Sequence, residues 1–299
     1  MLAFAALAFA SFHSVHPVAT APAACSAPVS AAGRAYVCTV GRGPDVLLIP
    51  GLGGSPAVWT STVDQLRGRN RLHLAQVGGF GGAPAGPNAN GPVLAPVVDA
   101  LASYLRANTR GPVAVVGHST GGKLALMLAA RHPELVNRVL VIDMLPFFGL
   151  AVNPRAKGSA DMAPVAEGAK RGVLEADAER FGAQQAAATA RFALRADSRA
   201  TVLRDVLASD RRVYAQGMYD LLLTDLRPEL PRIDAPVTVL YAAGDKVVGW
   251  GPLDADALYR SSYGGLKGVR LIPVPDAGHL LMDDQPERYA RELAAFVER

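Results

Sequence analysis

The sequence contains few of the cysteines and histidines that build structural zinc sites. Its 299 residues include two cysteines, Cys25 and Cys38, which form neither a Cys-x-x-Cys motif nor a Cys/His cluster. Structural zinc sites need four closely spaced Cys or His ligands, so we expect no metal centre. In an exported protein the two cysteines would pair, whereas in a reducing compartment Cys38 would be a buried thiol on a strand. The sequence leaves both interpretations open.

A strong excess of one charge is also lacking. The 30 basic and 26 acidic residues are scattered along the chain and leave a net charge of +4. No run of six basic residues and no nucleic-acid-binding motif accompanies this small excess, so we expect no nucleic-acid partner. Half of the residues are hydrophobic and 19% are charged, which is typical of a globular protein with a large core.

The N-terminal residues 1–24 contain no Lys, Arg, Asp or Glu. Their apolar run, residues 1–12, is too short to span a membrane, which takes about 20 apolar residues, but it suits the core of a signal peptide. Small residues that suit cleavage follow at 19–23. The basic residues that normally open such a signal are missing, so either the signal is atypical or the true start lies upstream. We expect an exported protein, periplasmic or secreted, without a stable membrane span; a disordered leader is the alternative.

Short apolar runs recur along the rest of the chain. They are typical of strands buried on both faces of a parallel sheet, and amphipathic stretches of helical period separate them. This alternation predicts an α/β fold with a mostly parallel, doubly wound sheet. The runs occupy residues 46–49, 72–75, 113–116, 139–142, 237–240 and 269–272.

One stretch interrupts the alternation. Residues 147–231 are rich in Ala, Arg, Asp and Glu, show helical periodicity and contain no clear strand run. We therefore predict a core of residues 25–146 and 232–299, with 147–231 inserted as a helical cap over the active site.

The sharpest motif is Gly-x-Ser-x-Gly at Gly117, Ser119 and Gly121, directly after a predicted strand and before a predicted helix. A nucleophile on so tight a turn adopts strained backbone angles, and its neighbours must lack side chains. The helix N-terminus then offers N–H groups to an oxyanion. We predict that Ser119 is the nucleophile. A second Gly-rich turn follows residues 46–49, and we assign the oxyanion hole to the N–H groups of Leu52 and Thr120.

The general base follows by elimination among six histidines. Only His279 lies on a loop after the last strand, which is the position that a catalytic base needs. We expect the side chain of His118, beside the nucleophile, to point away from the site. The remaining histidines lie in the leader, inside a strand run or at the end of a helix, at positions 13, 16, 73 and 132.

Two aspartates compete for the role of the acid that orients the base. Asp245 follows the strand run 237–240 and completes the chain order Ser…Asp…His, so we favour it. Asp143 follows the run 139–142 and is the alternative. Other aspartates, such as Asp276, lie too near His279 in sequence.

With these motifs, the chain from about residue 35 onward resembles the α/β-hydrolase superfamily. The resemblance implies catalysis through an acyl-enzyme on Ser119, without a cofactor, and it identifies the helical insertion with the family's cap. We call the tight turn that carries Ser119 the elbow. A serine at this position argues against haloalkane dehalogenation, for which the family uses aspartate.

The expected substrate is a small-molecule carboxylic ester of small to medium size, because an apolar pocket favours such acyl or aryl groups. An amidase, a lactonase and a cofactor-free haloperoxidase or perhydrolase use the same triad and stay open, as does the oligomeric state. A non-catalytic binding protein on this fold would require a broken triad. The loop at 76–82 should line the entrance, and the candidate pocket walls are Phe80, Met144, Phe147, Phe148, Met218 and Trp250.

Overall fold

The computed structural model describes residues 25–243 and 254–298. The predicted leader, residues 1–24, and two predicted site residues, Asp245 and Trp250, lie outside these ranges.

A single sheet of eight strands forms the centre of the described residues, in the order β1-β2-β4-β3-β5-β6-β7-β8. The strand β2 pairs antiparallel with both β1 and β4, and all the other neighbours are parallel. The strands are β1 (Val29–Ala31), β2 (Ala35–Gly41), β3 (Asp45–Ile49), β4 (Arg71–Val77), β5 (Val113–His118), β6 (Val136–Ile142), β7 (Val237–Ala243) and β8 (Arg270–Pro275). The predicted mostly parallel α/β sheet is confirmed.

Helices follow most strands and cover both faces of the sheet. They are α1 (Thr60–Leu66), α2 (Leu94–Asn108), α3 (Thr120–Arg131), α4 (Gly149–Val152), α5 (Ser159–Glu175), α6 (Ala178–Phe192), α7 (Ala196–Leu207), α8 (Arg211–Leu223), α9 (Ala255–Ser262), α10 (Leu281–Asp284) and α11 (Pro286–Val297). No helix within the described ranges has the length and apolar character that crossing a membrane requires.

The two faces of the sheet bury alternate residues of the same strand. Leu47 and Val115 belong to one hydrophobic cluster, whereas their neighbours Leu48 and Val116 belong to the other. Side chains of a strand alternate between faces, so a strand covered on both sides must be apolar at every position. This is why the continuous apolar runs mark the central strands, whereas the edge strand β8 buries only Ile272 and Val274.

The two antiparallel strands β1 and β2 lie outside the six apolar runs. In β2, residues Tyr36 and Thr39 are partly exposed between buried neighbours, so the strand lacks a continuous apolar run. Cys38 of β2 forms a disulfide with Cys25, with the two Cα atoms 5.7 Å apart. The disulfide and a hydrogen bond from the N–H of Ser26 to the carbonyl of Thr39 at 3.0 Å hold the segment before β1 against β2.

Residues 147–231 leave the sheet after β6 and return to it at β7, and they carry helices α4 to α8. We call these residues the helical segment. A fully buried lysine, Lys123 of α3, ties its two ends together: its ammonium donates to the carbonyls of Pro146 at 2.8 Å and Thr224 at 2.7 Å. Burial lowers the pKa of this ammonium to about 7.

Candidate active site

Ser119 connects β5 to α3 in a strained backbone conformation, with φ 53° and ψ −125°. Two glycines make the turn possible. A Cβ on Gly117 would lie 2.2 Å from the carbonyl oxygen of Gly121, and a Cβ on Gly121 would lie 2.0 Å from that of Ile49. Side chains at either position would clash with backbone, so the strained turn explains why the motif carries glycine on both sides.

His279 lies on the loop between β8 and α10, and it meets a carboxylate from the end of β6. Its Nδ1 atom is 2.7 Å from Oδ2 of Asp143. The other oxygen, Oδ1, accepts the N–H of Ala242 at 3.1 Å and the hydroxyl of Tyr259 at 2.9 Å. These three contacts hold the carboxylate in one orientation.

The contact with Asp143 assigns different roles to the two imidazole nitrogens. When Nδ1–H donates to the carboxylate, Nε2 is the acceptor that can take a proton from a hydroxyl. Among the described residues, then, the carboxylate that contacts His279 belongs to Asp143, the second candidate from the sequence. The favoured candidate, Asp245, lies outside those residues, and its role stays a prediction.

Tyr259 supports this carboxylate from α9, and the sequence contained no signal for it. Burial, and after it the charge of Asp143, raises the pKa of Tyr259 well above its usual value, so the phenol stays a hydrogen-bond donor. Its ring stacks on that of Tyr241 in β7, with centroids 4.2 Å apart.

The prediction for His118 is wrong, because its ring does not point away from the site. Its centroid lies 4.7 Å from that of His279, and both residues line the same cavity. Its Nε2 is 2.9 Å from the carbonyl oxygen of His279, which can only accept, so Nε2 carries the hydrogen. Burial lowers the pKa of His118 to about 3 and keeps the ring neutral.

The turn at residues 51–54 lies against the nucleophile. A Cβ on Gly51 would be 3.1 Å from Cβ of Ser119, so only a glycine allows this close approach. The N–H of Gly54 donates to the carbonyl of Gly51 at 3.0 Å and closes the turn. Neither the N–H of Leu52 nor that of Thr120 donates a hydrogen bond within the described ranges. Both groups are therefore available for the predicted oxyanion hole.

A cavity of about 440 Å³ opens above Ser119 and His279, and its walls are mostly apolar. The helical segment contributes most of these walls, chiefly through α5 to α8, so the segment lies at the edge of the sheet that carries the nucleophile. The volume of the cavity suits a small organic substrate.

Two of the predicted pocket residues, Phe148 and Met218, line this cavity. Three others do not: Phe80, Met144 and Phe147 are at most 1% exposed and belong to the core cluster on one face of the sheet. Their hydrophobic character correctly predicted that they are buried, but it did not show whether each lies in the core or on the cavity wall. Within the described ranges, no three His, Cys, Asp or Glu side chains form a group that could hold a metal ion.

Comparison with known proteins agrees with this geometry. The family model described as "Alpha/beta hydrolase family" matches residues 46–292, which is most of the chain. The chain belongs to the alpha/beta hydrolase family. The prediction from the sequence motifs is thereby confirmed, and with it the prediction that the protein is an enzyme.

Curated relatives include two esterases. A pimeloyl-[acyl-carrier protein] methyl ester esterase from Chromobacterium violaceum is 32% identical over 88% of this chain and 98% of its own length. The enzyme of the same name from Aromatoleum aromaticum is 29% identical over 85% of this chain and 97% of its own. The prediction of a carboxylic ester hydrolase agrees with the activity that these names state.

Solved structures show the same fold at lower identity. The enol-lactonase from Burkholderia xenovorans LB400 superposes with a TM-score of 0.70 at 19% identity, covering 89% of this chain and 96% of the other. An esterase from Exiguobacterium antarcticum gives 0.71 at 18% identity, with the same coverage. These similarities support the fold, and the substrate has to be argued from the site.

Proposed function

We propose that this alpha/beta hydrolase cleaves carboxylic esters through an acyl-enzyme on Ser119, with His279 as the base and Asp143 as its orienting acid. The observation that carries the proposal is the meeting of the strained Ser119 elbow and the Asp143–His279 pair on one apolar cavity. The esterase names of the relatives support the same reaction.

In the first half of the reaction, Nε2 of His279 takes the hydroxyl proton of Ser119 while the Ser119 oxygen attacks the ester carbonyl. The N–H groups of Leu52 and Thr120 stabilise the negative charge on the carbonyl oxygen. The imidazolium, stabilised by Asp143, then gives its proton to the leaving alcohol. In the second half, water attacks the acyl-enzyme by the same steps and releases the carboxylic acid.

We infer that the cavity takes the acyl group of a small to medium ester. Apart from the catalytic groups, its walls are mainly Ala, Val, Leu, Met and Phe side chains, which favour a hydrocarbon chain over a charged group. The relatives are named for methyl esters, so a short alcohol group suits this chain as well. Those names also specify an acyl carrier protein, whereas the Cys25–Cys38 disulfide favours export and a free ester.

The test is a panel of p-nitrophenyl and methyl esters of graded acyl length, assayed beside matched amides and lactones. We expect hydrolysis of the esters, and labelling of Ser119 by a fluorophosphonate probe. Ser119→Ala should lose both the activity and the label. Turnover of amides or lactones in preference to esters would contradict the proposal, as would ester turnover that survives in Ser119→Ala.

A further inference from the structure

A buried carboxylate of the helical segment binds Ser55, the residue that directly follows the turn at 51–54 assigned to the oxyanion hole. Asp205 of α7 is 2% exposed and lines the cavity. Its Oδ2 accepts two hydrogen bonds from Ser55, one from the hydroxyl at 2.5 Å and one from the backbone N–H at 3.1 Å. Its Oδ1 accepts the guanidinium of Arg204, at 2.9 Å from Nη2. Charged acceptors make the stronger hydrogen bonds in proteins, so Ser55 is firmly held.

The corner between α7 and α8 contacts the same turn at a second point. The hydroxyl of Ser209 lies 3.3 Å from the carbonyl oxygen of Gly53 and also accepts the N–H of Gly81 at 3.0 Å. Gly53 has a positive φ of 69°, and a Cβ there would lie 3.0 Å from a methyl group of Val206. The turn therefore packs against the helical segment without room for a side chain.

These contacts lie on both sides of the proposed oxyanion donor, the N–H of Leu52. Leu52, whose N–H is assigned to the oxyanion hole, lies between Gly51, which touches the nucleophile, and Gly53, which touches the helical segment. The hydrogen bond from Gly54 to Gly51 closes the turn, and Ser55 is its first residue beyond that bond. A displacement of Ser55 would rotate the peptide units of the turn and with them the N–H of Leu52.

We propose that Asp205 is a positioning residue, which holds the oxyanion turn in its catalytic geometry from the helical segment. The proposal rests on the proposed function, because it assigns a role in that reaction. The oxyanion exists only in the transition state and the intermediates, so a misplaced donor should lower kcat and leave KM nearly unchanged.

The kinetic test compares Asp205→Asn and Asp205→Ala with a matched control, Asp220→Asn. Asp220 is also a carboxylate of the helical segment that accepts two core N–H groups, those of Val93 and Leu94, but it does so at the start of α2. With p-nitrophenyl acetate, whose acyl group is too small to depend on the cavity walls, we expect Asp205→Ala to lower kcat by about tenfold or more. Complete loss of an oxyanion donor, which costs roughly 10²- to 10³-fold, sets the upper limit. Asp205→Asn should lose less, and the control should keep kcat.

Hydrogen exchange of the folded variants supplies a readout that does not need activity. Amides in the peptide that covers residues 50–58 should exchange faster in Asp205→Ala than in the wild type, and Asp220→Asn should leave them unchanged. Unchanged exchange there, or equal losses of kcat in Asp205→Asn and Asp220→Asn, would overturn the role of Asp205. If the wild type showed neither esterase activity nor labelling of Ser119, the proposed function would be wrong. The hydrogen-exchange experiment would still show whether Asp205 holds the turn in place.

Discussion

The Nδ1 atom of His279 lies 2.7 Å from a carboxylate oxygen of Asp143, which is the first residue after β6. Asp143 is fully buried, and its backbone has a positive φ of 50°, a conformation that few residues other than glycine adopt. Its N–H donates to the carbonyl of Leu240 in the neighbouring strand β7 at 2.7 Å. The backbone thus aims the carboxylate across the ends of two parallel strands toward the histidine loop.

We expect Asp143→Asn to lower kcat by roughly 10³- to 10⁴-fold, because an amide stabilises neither the imidazolium nor the tautomer with a proton on Nδ1. The matched control is Asp245→Asn, which changes the acid that the sequence favoured and should cost much less. Steady-state kinetics with one p-nitrophenyl ester decides between them, and thermal unfolding shows whether each variant is folded. A larger loss in Asp245→Asn would return the role to Asp245.

The sequence singles out Ser119 and His279 as candidates because their signals are local. A continuous apolar strand, two obligatory glycines and a following helix define the elbow of Ser119, and elimination among few histidines leaves His279. The acid could not be decided in this way. Asp143 and Asp245 both lie between Ser119 and His279 in the chain, and both follow strands that end at the same edge of the sheet, so order and position fit either one.

The direction of individual side chains was the other feature that could not be predicted from the sequence. Phe147 and Phe148 are adjacent and equally apolar, yet the first is in the core and the second lines the cavity. His118 follows the alternation of β5 up to the elbow, but there the strained backbone of Ser119 ends the regular strand, and the ring of His118 contacts His279 instead. Such contacts depend on the tertiary structure and leave no periodic pattern.

The buried ring of His118 should make stability depend on pH. Its pKa is lowered to about 3 by burial, whereas an unfolded histidine takes up a proton near pH 6.5. Between these values the unfolded state binds more protons, so the free energy of unfolding should decrease as the pH falls from 6.5 toward 3. The contribution of one such group is about 1.4 kcal/mol per pH unit.

Urea unfolding at pH 7.5, 6 and 5 measures this dependence. His118→Asn keeps a donor for the carbonyl of His279 and should flatten the slope, although His73, whose pKa burial also lowers, keeps part of it. The wild type, unfolded in the same three buffers, is the reference for this slope. If His118→Asn kept the full slope, the ring would not be neutral in the folded protein.

We propose that the protein is exported and loses its leader. The motivation is the uncharged apolar stretch in residues 1–24, together with the disulfide of Cys25, the first residue after it. The intact mass of protein made in its native host should lack roughly the first 20–25 residues. The mature protein should also show no free thiol unless it is reduced. Cytoplasmic protein that retains Met1 and two reactive thiols would contradict export.

The helical segment should act as a cap that selects substrates without taking part in the chemistry. Phe148, near the start of the helical segment, and Met218 of α8 both line the cavity. Met144, in contrast, lies in the core. Phe148→Ala and Met218→Ala enlarge the cavity, so the preferred acyl chain should lengthen, and one methylene is worth only about 1–3 kcal/mol. The ratio of kcat/KM between butanoyl and octanoyl p-nitrophenyl esters measures the shift.

Two controls separate selection from general damage to the protein. Ser119 should still react with the fluorophosphonate probe in both variants, because the elbow and the Asp143–His279 pair are unchanged. Met144→Leu, a volume-conserving change in the core, should leave the ratio between the two esters as it is in the wild type. If Phe148→Ala and Met218→Ala also leave that ratio unchanged, the segment does not select the acyl chain. Selection would then have to come from other residues that line the cavity, and Val58 and Leu280, which lie outside the helical segment, would be the first to test.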